Sequence, residues 1–187
     1  MGLLTFGINV TLDGCCDHTA GIVDDELHDY FTGLMDDAGA MLWGRTTYEM
    51  MESAWPAIAR DEKAPRAERE WAIKLDAKPK YVVSTTLPDN ALVEGWGPTT
   101  ILRSTDDVID LKKSDGGAIF IHGSAELARR LSDAGLIDRY NLLVFPVLLG
   151  AGKSLFSKAD KDKQVLSLRA SAAYPNGIVK LVYDVVG

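Results

Sequence analysis

Three places in this chain set glycines, hydroxyls or an arginine directly after an apolar run. Gly44-Arg45-Thr46-Thr47 follows Ala40 to Trp43 and opens a helical pattern in which Tyr48, Met51 and Trp55 share a side and which is predicted to end before Pro56. A helix N-terminus offers unpaired amides and partial positive charge, and an always-charged forked guanidinium with two hydroxyls beside it makes a phosphate site. A solvated Arg45 with Thr46 as a plain N-cap explains the same residues without a ligand. Ser84-Thr85-Thr86 ends a second run, and Gly123-Ser124-Ala125 leads from a third into a helix. Ligands of open parallel sheets sit outside the carboxyl ends of the strands, so three such ends would line one crevice.

Acids form the next group. Asp13 at a turn and the pair Asp24-Asp25 at a helix start suit turn-forming and capping, or hydrogen bonding and proton supply to a heteroaromatic ring. GAGKS, 150 to 154, suggests a nucleotide P-loop, but that motif needs a glycine at position 147, which is Val. The dinucleotide fingerprint fails too, because its third glycine site is Leu155. Gly150 and Gly152 then form a plain tight turn or a second backbone contact to a ligand. His18, His28 and His122 lack ligand spacing and point to surface or structural roles, so no metal is expected. Adjacent Cys15 and Cys16 offer no Cys-x-x-Cys spacing and are expected to be reduced.

The elements that must position these residues can be read in order. LLTFGINVTL, 3 to 12, is a strand stopped by Asp13-Gly14, and Leu27, Tyr30, Phe31, Leu34, Met35 and Ala38 make one helical face. Strands follow at 40–43, 80–87, 99–102 and 116–124, with partly helical chain at 57–79, a short helix capped by Thr105-Asp106, and a helix from Ala125 with Gly135 as its stop. From Arg139 a long apolar strand is interrupted by Pro146, and the tail is two strands around Pro-Asn-Gly. Strands separated by helices and closed by a hairpin imply a mainly parallel α/β sheet with an antiparallel edge.

Composition narrows the partners. The 187 residues are 47% hydrophobic, enough for one domain over 1–187 with a substantial core. The 27 acids against 20 bases give a net charge of -7, which repels nucleic acid and anionic membrane. No basic region precedes a long apolar stretch and no window approaches about 20 apolar residues, so a cytoplasmic location is expected.

Taken in order, "VTLDG" (10 to 14), "GRTTYE" (44 to 49), "VVSTTL" (82 to 87) and "IHGSAELARRLSDAGLIDRYNLLVFPVLLGAGKSLF" (121 to 156) resemble the dihydrofolate-reductase-like family that includes the reductase domain of the bifunctional riboflavin-biosynthesis deaminase/reductase. The resemblance implies a central mostly parallel mixed sheet flanked by helices, with a C-terminal β-hairpin. It implies an NADPH-dependent oxidoreductase acting on a pterin-like or ribosylamino-pyrimidine-like substrate. Gly44, Arg45, Thr46 and Thr47 would hold the pyrophosphate and 2′-phosphate, Ser84 and Thr85 the adenosine side, and Gly123, Ser124 and Ala125 the pyrophosphate. Asn9, Asp13 and Gly14 would border nicotinamide and substrate, with Asp13 and Asp25 as catalytic candidates and Gly150 and Gly152 near the cofactor. The apolar strand 142–149 would lie partly at a homodimer interface. Cys15-Cys16-Asp17-His18-Thr19 replaces the family's aromatic and acidic loop, which leaves the substrate open, and Arg139, where an acid commonly follows Ile-Asp, reads as surface variation. Dihydrofolate reductase activity and non-catalytic nucleotide binding on the same scaffold are the alternatives.

Overall fold

The computed structural model describes residues 2–17, 21, 25–92, 95–114, 117–156 and 163–186, and of 25 and 26 the backbone alone. His18, Thr19, Asp24 and the Asp25 side chain therefore lie outside the described residues. The elements are β1 (Leu4–Thr11), α1 (Asp25–Asp37), β2 (Ala40–Gly44), α2 (Arg45–Arg60), α3 (Arg66–Ala77), β3 (Lys80–Val83), β4 (Thr99–Leu102), α4 (Thr105–Lys113), β5 (Ile119–His122), α5 (Ala125–Asp133), β6 (Arg139–Phe145), β7 (Leu166–Ala173) and β8 (Val179–Val185). They form one eight-stranded sheet in the order β4-β3-β2-β5-β1-β6-β8-β7. The first six strands in that order run parallel, and β8 and β7 close the sheet antiparallel.

Parallel strands must bury both faces, and these do. On one face α1, α2 and α3 place Leu27, Phe31, Tyr48, Met51 and Trp71 against Trp43, Phe120 and Leu143. On the other, α4 and α5 place Val108, Leu127 and Leu131 against Leu4, Phe6 and Ile121. Thus α5, which follows β5, packs on the face opposite α1 and α2, which follow β5's neighbours β1 and β2. That reversal is a topological switch point, the place at the carboxyl edge where open α/β sheets bind their ligands.

Several boundaries differ from the sequence-based expectation for identifiable reasons. Helix α2 passes through Pro56 to Arg60 instead of ending before it; proline removes one hydrogen bond and crowds the carbonyl four residues back, yet Pro56 is buried and burial outweighs that loss. Helix α4 is capped by Ser104, whose hydroxyl accepts from the Asp107 amide while the Asp107 carboxylate accepts from Ser104, so Thr105 is the first helical residue. Strand β5 covers only 119–122 of the expected 116–124, and β6 stops at Phe145, before Pro146, which has no N–H for a ladder. Arg139 is not surface variation: its Nε donates to Asp184 Oδ1 at 2.6 Å, opposite it in the β6–β8 register.

Two buried charges pin the periphery. Lys80 donates to the carbonyls of Asp76 and Lys78 at 2.9 Å each, closing the end of α3, and lies 4.9 Å from the Trp96 ring. Gly97 makes this possible, since a Cβ there would stand 2.0 Å from the Asp76 carbonyl oxygen. Lys112 donates to Leu136 O and to Asp138 Oδ2, which also accepts the Leu4 amide, fastening the start of β1.

Candidate active site at the carboxyl edge of the sheet

Strands β3, β2, β5, β1 and β6 are consecutive in the sheet, so the residues that follow them share one edge. Gly44 is the N-cap of α2, supplies no side-chain cap, and the first turn holds no acid. The alternative reading of Thr46 as the N-cap gives way to a helix end that Gly44 caps without a side chain. Gly44 neighbours α5: a Cβ built there would lie at ordinary contact distance, 3.5 Å from Ser124 Oγ and 3.8 Å from Leu127 Cβ. Ser124 caps α5 by accepting from the Leu127 amide at 3.3 Å, in a left-handed conformation at φ 45° that side chains other than glycine rarely adopt. The N-termini of α2 and α5 thus meet at this edge of the sheet.

Arg45 is half exposed. Its Nε donates to Glu49 Oε1 at 2.7 Å and its NH1 to Thr86 Oγ1 at 3.2 Å. Thr46 is exposed beside it, whereas Thr47 is buried with its methyl facing Gly123, 3.9 Å from a Cβ built there. Thr47 packs between two loops through its methyl. Ser84 is buried too, and its Oγ accepts from the amides of Thr86 and Leu87 at 3.3 and 3.0 Å, leaving Thr85 and Thr86 exposed. Arg103 was not singled out in the sequence. It follows β4 as Arg45 follows β2, donates to the carbonyls of Ser84 and Leu87 at 3.0 and 2.6 Å, and pairs with Asp89. Its place one residue past a strand was the available signal.

At the β1 and β6 ends the chain makes a second cluster. Asp13 is exposed, and its carboxylate accepts from Thr11 Oγ1 at 2.5 Å and from the amides of Leu149 and Gly150 at 3.1 and 2.7 Å. The Thr11 hydroxyl and the Gly150 amide, in that order, hold its pKa below the ordinary carboxylate value. Asp13 is an ionised clasp joining two loops, a geometry that favours positioning over proton donation. Cys16 donates its amide to Lys153 O, Leu155 donates to Gly14 O, and Cys15 pairs with Ser154. Gly152 lies against Cys15, where an added Cβ would sit 3.4 Å from Sγ. Gly150 and Gly152 therefore border the edge without opening a helix. Both cysteines are free, and burial pushes the Cys16 thiol up to about 11.

On the α1 face of this edge the buried polar atoms without a partner include Asn9 Oδ1, His122 Nδ1, Asn141 Nδ2 and Trp71 Nε1. Asn141 Oδ1 accepts from Tyr30 OH at 3.0 Å. The His122 ring lies 4.6 Å from Phe31, 5.6 Å from Trp71 and 5.8 Å from Phe120, and burial, with nearby His28, lowers its pKa to about 4. Among the described residues no group of His, Cys, Asp and Glu could hold a metal ion, and no helix is long and apolar enough to cross a membrane. A cavity of about 140 Å³ lies away from this edge, beside α5, lined by Arg129, Ser132, Tyr140 and Phe156.

The open sheet, the face reversal at β5 and the converging helix ends define the class: a dihydrofolate-reductase-like α/β fold. Residues 3–180 match the RibD C-terminal domain, and the chain belongs to that family. It is 31% identical over 177 residues to the uncharacterized protein YyaP of Bacillus subtilis strain 168, covering 93% of this chain and 90% of that protein. Among solved structures, a Shewanella sp. PV-4 protein named for riboflavin biosynthesis superposes with a TM-score of 0.71 at 20% identity, covering 99% of both chains. Dihydrofolate reductase from Enterococcus faecalis complexed with NADP(H) superposes with a TM-score of 0.65 at 14% identity, over 100% of this chain and 98% of that one. These two likenesses establish the fold.

Proposed function

We propose that the protein is an NADPH-dependent reductase that transfers hydride to a C=N bond, or to the C1 carbonyl of an opened sugar, on a pterin-like or ribosylamino-pyrimidine-like substrate. The observation that carries this reading is the convergence of an uncapped α2 terminus, the neighbouring Gly44 and Ser124 and a half-exposed arginine at one switch point of the sheet. Arg45 would hold the 2′-phosphate; the first-turn amides of α2 and the Gly123 to Ala125 backbone would hold the pyrophosphate. Thr85 would border the adenosine, with Ser84 shaping its loop, and Asn9 and Gly14 would border the nicotinamide. Bound NADPH supplies the hydride, and the chain's own work is to orient the acceptor and exclude water.

Within this reading Asp13 is a positioning residue that keeps the loops after β1 and β6 together. Asp25, at the start of α1, is the proton-donor candidate; Asp25→Asn should then abolish turnover while leaving cofactor binding intact, and unchanged turnover would remove it. Tryptophan fluorescence titration with NADPH and NADH tests the whole reading, because Trp43 immediately precedes Gly44. Tight binding of NADPH with weak NADH binding is expected, and no response to either would sink it. We further propose a homodimer through the sheet face away from α1, where Leu142, Leu181, Tyr183 and exposed Leu168 align across β6, β8 and β7; light scattering that shows a monomer at micromolar concentration would contradict it.

A further inference from the structure

Close-packed interiors hold few voids larger than a water molecule, yet a cavity of about 140 Å³ sits between α5 and the sheet, on the face opposite α1. It is several times the size of one water and close to the roughly 150 Å³ that takes up a benzene ring. Phe6 of β1 and Tyr140 of β6, partners in register, are fully buried and form its floor, their rings edge to face at 6.2 Å. Ala128 and Leu155 complete the apolar wall. Phe156 stands at the rim, edge to face with Tyr140 at 6.1 Å and 49% exposed, so half of an aromatic side chain is left in water. The polar atoms of the wall are chiefly donors. Tyr140 OH donates to Ser132 Oγ at 2.7 Å, which leaves the Ser132 hydroxyl its own proton to give. Arg129 is half-buried on the same wall and has no ion pair among the described residues. Burial, with Cys15 beside it, holds the nearby Cys16 thiol neutral at about 11, so it does not compensate the guanidinium. Asp133, the acid of the described wall, is exposed and has a partner of its own.

An uncompensated guanidinium and a hydroxyl donor beside a ring-sized aromatic cavity match one kind of small molecule. We infer that this cavity is a second binding site, for a small planar aromatic carboxylate whose ring lies against Phe6, Tyr140 and Phe156 and whose carboxylate is held by Arg129 and Ser132. The forked guanidinium suits a carboxylate because the two can meet in parallel hydrogen bonds. A ring in the cavity would stack edge to face with its neighbours and cover the exposed part of Phe156. Ala128 and Ser132 lie about one and two turns beyond Ser124, roughly 6–12 Å along α5 from the end proposed to hold the pyrophosphate. The site is thus separate from the carboxyl edge, and it stands whether or not the reductase reading holds.

The probe is 4-fluorobenzoate, its fluorine resonance followed by NMR as protein is added, with 4-fluorobenzamide as the neutral control of the same shape. For a ligand of about ten heavy atoms a Kd of roughly 1 mM or tighter is expected. The benzamide should bind about tenfold more weakly. Arg129→Gln should weaken the benzoate about tenfold and leave the benzamide unchanged, as the loss of partly sheltered hydrogen bonds to a charged group predicts. Ala128→Leu fills the cavity and should abolish binding of both, with a thermal midpoint no lower than wild type showing that it folds; should it not fold, the contrast between benzoate and benzamide in Arg129→Gln decides alone. Excess 2′,5′-ADP should leave bound 4-fluorobenzoate in place. A benzoate that does not bind, binds no better than the benzamide, or binds Arg129→Gln or folded Ala128→Leu as well as wild type overturns the inference. Displacement by 2′,5′-ADP would put the probe at the carboxyl edge and overturn it equally. Failure of wild-type protein to bind 2′,5′-ADP itself would count against the cofactor site, so the two readings fail separately.

Discussion

Replacing Arg45 by Ala should separate the two nicotinamide cofactors, and the structure sets the size of the effect. A guanidinium has five N–H donors; Glu49 takes the Nε hydrogen and Thr86 one on NH1, leaving three for a phosphate. Hydrogen bonds to charged groups contribute about 1.5–3 kcal/mol when well sheltered. The Arg45 side chain is 46% exposed and already paired with Glu49, so water screening and the neighbouring carboxylate place the effect near the lower figure. NADPH affinity should therefore fall roughly tenfold in the variant. NADH, which lacks the 2′-phosphate, should lose little. Fluorescence titrations at low and at high salt give both numbers, and the NADPH advantage should shrink with salt because the pair is exposed. Arg45→Lys should retain part of the discrimination, since it keeps the charge and loses the fork. An equal loss for both cofactors, or none, would refute the assignment of Arg45 to the 2′-phosphate.

Folding stability supplies two independent tests. His122 has its pKa lowered from 6.5 to about 4 in the folded chain, so between those values the unfolded chain binds the extra proton and stability is lost as pH falls. By pH 5 this amounts to about 2 kcal/mol, and His122→Phe should flatten that part of the profile in denaturant melts at pH 7.5 and 5; parallel profiles for the two proteins would contradict it. Gly97→Ala forces a Cβ to 2.0 Å from Asp76 O at φ 59°, and a loss of roughly 3 kcal/mol or more should appear as a thermal midpoint lower by about 6–12 °C; an unchanged midpoint would show that the Lys80 cap tolerates rearrangement.

Much of the edge was legible because its signals are local. Gly44-Arg45-Thr46-Thr47, Ser84-Thr85 and Gly123-Ser124 each follow an apolar run, and strand ends in a parallel sheet fall on one side without further information. What the individual hydroxyls do was not legible. Thr46, Thr47, Ser84 and Thr85 look alike in sequence, but Thr47 and Ser84 are buried by neighbours distant in the chain while Thr46 and Thr85 are exposed. Asp13 as a clasp depends on amides 136 and 137 residues away, and Arg139 depends on a β6–β8 register set only when the hairpin docks. The continuation of α2 through Pro56 follows from burial outweighing a local preference. The reversal of α5 to the other face cannot be read from its own apolar stripe, which would suit either side.

The meeting of α2 and α5 at Gly44 and Ser124 has an energetic meaning for the protein as a whole. Two helices that start on opposite faces of the sheet bring like poles of their dipoles to the same point, and only an uncapped glycine and a strained serine separate them. If the proposed cofactor site is correct, a dianion bound between the two helix ends would offset that repulsion. On that proposal, heat resistance should rise with the logarithm of phosphate-ligand concentration once the site saturates, and a reservoir of cofactor would set how long each molecule of this protein survives.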